Sequence, residues 1–275
     1  MAANIRIGCQ SWGYDDWVTK PGSDTVFYPQ GTKSNEMLEL YSGVFDTIEV
    51  DSTAYGPPTA STIESWYAKT PDDFTFSLKV PRKITHDFPL QPSIYSEMDE
   101  FIERVAGLKE KLGAVLIQFP AAFESDKENA KNLRAFLARL PADTRFAVEF
   151  RNPGWFVDWT YDELASHSVA LALVEGKWVD REVMFASLPK VAQKFAHVRF
   201  MGVRDLIHFD RVQRPQDPVV EFWAERLHDL DVQEMYIYVD NYFEGFAPET
   251  ANKLKELMAL NPVDPEVLQE QPSLF

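Results

Sequence analysis

Residues 47–55 read TIEVDSTAY. Ile48 and Val50 are apolar and β-branched, and they alternate with Thr47, Glu49 and Asp51. That is the spacing of a strand with one apolar face and one face carrying two carboxylates. Carboxylates on the inner side of a buried strand are costly unless something on that side compensates them. The same alternation recurs along the chain, and its recurrence decides the fold. Phe146, Val148 and Phe150 oppose Ala147, Glu149 and Arg151, while Phe76, Leu78 and Val80 oppose Thr75, Ser77 and Lys79. Further on, Gln118 sits between Ile117 and Phe119, Arg199 between Val198 and Phe200, and Tyr238 and Asp240 flank Val239.

Short apolar runs of this kind occur at 5–9, 45–51, 74–80, 114–119, 145–150, 169–174, 197–201 and 235–240. Between them the spacing predicts helices over 34–42, 59–69, 96–112, 217–230 and 248–260, with the stretch between the sixth and seventh runs the least clear. Two more helices are expected to open on capping boxes, Ser125 with Glu128 and Thr160 with Glu163. Eight strands, each followed by a helix, within about 250 residues make the pattern of a TIM-type (β/α)8 barrel, an α/β fold in one domain. A doubly wound open sheet is the alternative, but GCQSWGYDDW (8–17) is a poor match to its Gly-rich phosphate loop. The barrel is expected over residues 1–260, with 261–275 as a peripheral C-terminal tail.

Composition narrows the setting. The chain has 275 residues, 45% of them hydrophobic and 25% charged, as in an ordinary globular protein. Neither a run of roughly 18 apolar residues nor the apolar core of a signal peptide is present, so no membrane association is expected. The one cysteine, Cys9, permits no internal disulfide, and a cytoplasmic location is the default expectation. With 43 acidic against 27 basic residues the net charge is −16, which argues against a nucleic-acid partner. The partner expected instead is a small molecule; the sequence carries no signal of oligomeric state.

In such a barrel the apolar faces meet the helices and the other faces point inward, becoming polar towards the C-terminal ends, where barrel enzymes carry their chemistry. Glu49 and Asp51 then look across the barrel at Lys79, Gln118, Glu149, Arg199 and Asp240.

These residues, with their flanks, resemble the YecE-like family, domain of unknown function 72. TIEVDSTAY is similar to its EINSTFY segment. CQSWGYDDW (9–17), FYP (27–29), FSLKVPRKITH (76–86), LIQFP (116–120), VEFRNPGW (148–155) and YIYVDNYFEGFAPETANKL (236–254) follow its later segments in order. The resemblance covers nearly the whole chain and implies a TIM-type barrel; it assigns no activity. Asp51 stands where the family has Asn, Ala54 where it has an aromatic residue, and Asn152 and Met201 where it commonly has His. A mechanism that needs those two imidazoles as bases or metal ligands does not carry over.

Three chemistries fit the inward residues. Paired carboxylates about 5–10 Å apart suit glycoside hydrolysis, which makes Glu49 and Glu149 the candidate catalytic pair of a hydrolase. Lip aromatics, Trp12 and Tyr55 foremost, with Tyr14, Tyr28, Trp155 and Tyr242, would stack on a sugar. No resident cofactor is expected on that reading. In the second, Glu49, Glu149 and Asp240 would hold Mg²⁺ or Mn²⁺ beside His86, as hard cations prefer oxygen ligands. In the third, a non-enzymatic barrel would hold a small anion on Lys79, Arg82, Arg151 and Arg199. Asp51, Gln118, Asp240 and Asn241 would orient the ligand in any of these. Against all three stands a purely structural ion-pair network, Glu49 with Lys79 and Glu149 with Arg199 or Arg151. His197 reads as the start of a strand, at the far end from the mouth.

Overall fold

The structure, a computed structural model, describes residues 3–87, 89–190 and 194–269. Its nine strands are β1 (Asn4–Gln10), β2 (Thr47–Val50), β3 (Thr75–Lys79), β4 (Leu112–Gln118), β5 (Arg145–Glu149), β6 (Ala170–Leu171), β7 (Leu173–Glu175), β8 (Phe195–Phe200) and β9 (Glu234–Val239). All pairings are parallel, in the order β6-β5-β4-β3-β2-β1-β9-β8-β7. Only Ala172 separates β6 from β7. The two are halves of one sixth stave, the first bonded to β5 and the second to β8, so the ring of eight staves closes there. This is the TIM-type barrel that the alternation predicts.

The periodicity dictates two cores. Outward residues such as Ile48, Phe76, Ile117, Val148, Val198 and Ile237 bury against the helical layer. Inside the ring a smaller apolar plug of Ala114, Leu116, Ala147, Ala170, Phe195, Tyr236 and Tyr238 fills the lower layers. Above it, Tyr238 Oη donates to Ser77 Oγ at 2.8 Å and lies 2.8 Å from Thr47 Oγ1, tying three staves together. Layered filling of this kind closes the middle of the ring and leaves its C-terminal end, where barrel enzymes carry their chemistry, open.

The helices include α1 (Met37–Ser42), α2 (Ala60–Ala68), α3 (Tyr95–Val105), α4 (Lys127–Leu137), α5 (Asp158–Ser166), α6 (Arg181–Ser187), α7 (Asp217–His228), α8 (Asn241–Glu244), α9 (Ala247–Leu257) and α10 (Glu266–Gln269). Both expected capping boxes are corrected. α4 is capped by Asp126, whose carboxylate accepts from the Asn129 amide, because Asp126 lies one residue nearer the first turn than Ser125. α5 already begins at Asp158, which leaves Thr160 inside its first turn. The tail is less peripheral than expected. Asn252 and Val263 exchange two hydrogen bonds, at 2.6 and 2.8 Å, and Leu268 is buried in the outer core. Residues 270–275 of the expected tail lie outside the described residues. No helix among the described residues is long and apolar enough to cross a membrane.

Candidate functional site

Arg199 organises the layer just under the mouth. It projects inward from β8, and it is buried. Its Nε and Nη2 donate to Glu49 on β2 at 3.0 and 2.7 Å, and its Nη1 donates to Glu149 on β5. Gln10 Nε2, at the end of β1, donates to Glu49 at 2.6 Å. His197 Nε2 lies 3.0 Å from the other Glu49 oxygen. A carboxylate only accepts, so this geometry puts the proton on Nε2. Burial pushes the Glu49 carboxyl up, but Arg199, the His197 hydrogen bond and the Arg199 hydrogen bonds outweigh it, and the group is held far below the usual carboxylate range. Glu149 is lowered too; burial opposes, and Arg199, Arg151 and Lys79 prevail. Both glutamates are therefore anions, matched by charge-assisted bonds.

Above this floor lies a cavity of about 260 Å³. Asp51, Tyr55, Lys79, Arg82, Gln118, Glu149, Arg151 and Asp240, all anticipated from the sequence, line it together with Ala54, Val174, Lys177, Trp178, Met201, Gly202 and Arg204. Five of these side chains are cationic and three are carboxylic. Lys79 Nζ sits 3.2 Å from Asp51, and Arg151 Nε donates to Glu149 at 2.8 Å. Arg82, Lys177 and Arg204 pair with no carboxylate among the described residues. Lys177 lies instead 4.7 Å over the Trp178 ring, where a cation meets the negative face of the indole.

Several anticipated residues stand elsewhere. Glu49 and Arg199, expected to touch a ligand directly, are buried beneath the floor and lie outside the cavity lining. Glu49 pairs with Arg199 rather than with Lys79, because the guanidinium crosses the barrel from β8 while the shorter ammonium reaches only Asp51. Trp12 packs edge-on against Trp66, 5.8 Å between centroids, outside the cavity lining. His86 also lies outside it and exchanges a hydrogen bond with Thr85; burial first, then Arg82 and Lys79, bring its pKa down to about 4. Asn241 Oδ1 accepts from the Ala247 amide at 2.8 Å, a link between α8 and α9 rather than a lining contact. Of the other expected lip aromatics, Tyr28 and Trp155 are buried in the outer core, and Tyr14 and Tyr242 pack on Phe209. Asn152 caps a turn by accepting from Gly154, while Met201 lines the cavity.

His197 and Gln10 were missed. The strand containing His197 begins at Phe195, two residues before the apolar run at 197–201, so His197 is mid-strand and inward rather than at the far end. Gln10 could have been found by carrying the alternation through β1. Lys177, Trp178 and Arg204 sit on loops, where position at the mouth is legible but side-chain direction is not.

Asp240 is the exception among the carboxylates. Burial pushes it up to about 6, with the Tyr242 amide and Arg199 partly opposing and Asp51 adding repulsion. Glu49, Glu149 and Asp240 do not converge as a ligand set, since Arg199 joins the first two. Among the described residues no three His, Cys, Asp or Glu side chains are grouped to hold a metal ion.

Comparison with known proteins agrees with this architecture. The chain is 26% identical to the UPF0759 protein YunF of Bacillus subtilis, over 92% of this chain and 94% of that one. It is 25% identical to the UPF0759 protein YecE of Escherichia coli K12, over 98% and 100%. A DUF72 family protein of Thermotoga maritima superposes with a TM-score of 0.76 at 24% identity, covering 93% of this chain and 99% of the other. One from Enterococcus faecalis superposes with a TM-score of 0.74 at 22% identity, covering 98% and 99%. The family model described as "Protein of unknown function DUF72" matches residues 6–273, and the chain belongs to that family.

Proposed function

We propose that the C-terminal mouth binds a small phosphate- or carboxylate-bearing polar molecule and acts on it by acid–base chemistry. One observation carries this reading: in a chain of net charge −16, five cationic side chains meet around a single small cavity. Arg82, Lys177 and Arg204 form no ion pair with a carboxylate among the described residues, and arginine forks bind phosphate or carboxylate through paired hydrogen bonds. At 260 Å³ the space suits a small metabolite, below the about 300–1,000 Å³ of pockets that take drug-sized ligands. Asp240 supplies the proton-transfer group, since a pKa near the working pH serves both donor and acceptor roles. Glycoside cleavage by a Glu49–Glu149 pair is less well supported, because Glu49 touches no ligand space and Glu149 is a compensated anion.

Titration calorimetry with phosphate, sugar phosphates and sugar acids at matched ionic strength tests the reading. Binding is expected, at least tenfold weaker in the double variant Arg82→Met/Arg204→Met and weaker in the wild type as pH rises through 6. No heat of binding from any of these anions overturns the site. Binding without turnover of any ester or sugar acid retains the pocket and removes the catalytic half of the proposal.

A further inference from the structure

Three lysines are buried, and they differ in what holds them. Lys111 Nζ donates to the Tyr67 and Thr70 carbonyls, both at 2.7 Å. Lys255 lies 5.0 Å over the Phe45 ring. Lys79 alone of the three lines the cavity, and the Asp51 oxygen at 3.2 Å is its one polar partner among the described residues. An ammonium has three protons to place. Arg151 lines the same cavity and Arg199 is buried beneath it, each already bonded to a carboxylate. A desolvated amine crowded by other cations is the setting in which lysine becomes a nucleophile.

We infer that Lys79 is a nucleophilic amine that condenses with the carbonyl carbon of a small anionic aldehyde or ketone to form a Schiff base. The inference rests on the anion-pocket reading above and names the substrate class. The neutral Nζ lone pair forms the C–N bond while the carbonyl π pair moves to oxygen, which takes the proton of Asp240. The nitrogen then passes a proton to Asp51, giving a carbinolamine. Its C–O bond breaks, the hydroxyl leaves as water with the proton returned by Asp51, and the nitrogen lone pair closes the C=N bond. One amine, one carbonyl and one proton thus become one iminium and one water. The iminium charge lies beside Asp51 and Glu149, while Arg82 and Arg204 hold the substrate's anionic group. Burial lowers the Lys79 pKa; Asp51 opposes and Arg199 adds to the lowering, so the neutral form is reached more readily than at an exposed lysine.

Reductive trapping tests this on the wild-type protein. With sodium cyanoborohydride and either pyruvate or dihydroxyacetone phosphate near pH 7, peptide mapping should find an adduct on Lys79. It should form at least tenfold faster than on Lys111 or any exposed lysine. Asp240→Asn, an isostere that can still accept the Tyr242 amide, should slow trapping about tenfold. Adducts scattered over exposed lysines with Lys79 unmodified overturn the inference. If calorimetry still shows phosphate binding in that case, the anion pocket survives and only the amine chemistry falls. Trapping of neutral dihydroxyacetone as fast as its phosphate keeps the reactive amine and overturns the anionic substrate class. An unchanged rate in Asp240→Asn removes Asp240 from the proton transfer.

Discussion

Arg199 on β8 and Asp240 at the end of β9 are both buried, and what separates them is their partners. Arg199 finds two carboxylates and is spent on holding them, so Glu49 and Glu149 are locked anions that orient the floor. Such a network need not stabilise the fold relative to apolar packing, but it fixes which side chains remain free above it. Asp240 finds no cation in direct contact and so holds its proton to about pH 6. This has a defined sign. Because the folded pKa lies above the unfolded value, the contribution of Asp240 to stability is complete below about pH 4 and is lost as pH rises through 6. The size is on the order of 2–3 kcal/mol. Asp240→Asn mimics the protonated form, so its stability relative to wild type should climb by that amount between pH 4 and pH 8 in paired urea titrations. The comparison isolates Asp240, since Glu49 and Glu149 have lowered pKa values and drive the opposite trend in both proteins. A pH-independent difference would refute the assignment.

At the level of elements, the exit of β8 is the tightest point of the mouth. A Cβ on Gly202 would stand 1.7 Å from the Tyr242 carbonyl oxygen and 2.4 Å from the Phe243 amide, all backbone atoms at the start of α8. Only glycine lets the loop carrying Arg204 pass the β9–α8 turn that carries Asp240. Gly202→Ala should therefore cost about 1–3 kcal/mol or more, as overpacking does. It should also weaken anion binding, because the two loops must separate; a fully stable variant that binds phosphate like wild type would contradict the close approach. Elements were legible to different degrees for the same reason. Strand alternation is local and recurs every two residues, so eight staves and their inward faces could be read directly. Helix starts are less local: at α4 the neighbouring Asp126 takes the cap in place of Ser125, and α5 starts after Val157 with no side-chain cap at all, which leaves Thr160 inside its first turn.

Across the whole molecule the net charge is −16, yet five cationic side chains line the cavity at the mouth. Exposed charges are screened beyond about 8 Å at physiological salt, so these cations are expected to have little pull on a passing polyanion. A mobility-shift assay with duplex DNA should accordingly show no complex below about 1 µM protein; salt-sensitive binding tighter than that would require a basic surface not described above. The amino-acid pattern by itself determined the barrel and the inward placement of Glu49, Lys79, Glu149, Arg199 and Asp240, because two-residue periodicity needs no knowledge of neighbours. It also placed Asp51, Gln118 and Arg151 at the mouth, through their position at strand ends. Tertiary structure alone decided who pairs with whom and at what depth. Glu49 meets Arg199 across 150 residues of chain. That meeting depends on the stagger of the staves and the reach of each side chain. It places Glu49 below the cavity lining with His197 and Gln10 bonded to it, and leaves Lys79 and Asp240 facing the open cavity. Those relations exist only once the ring has closed.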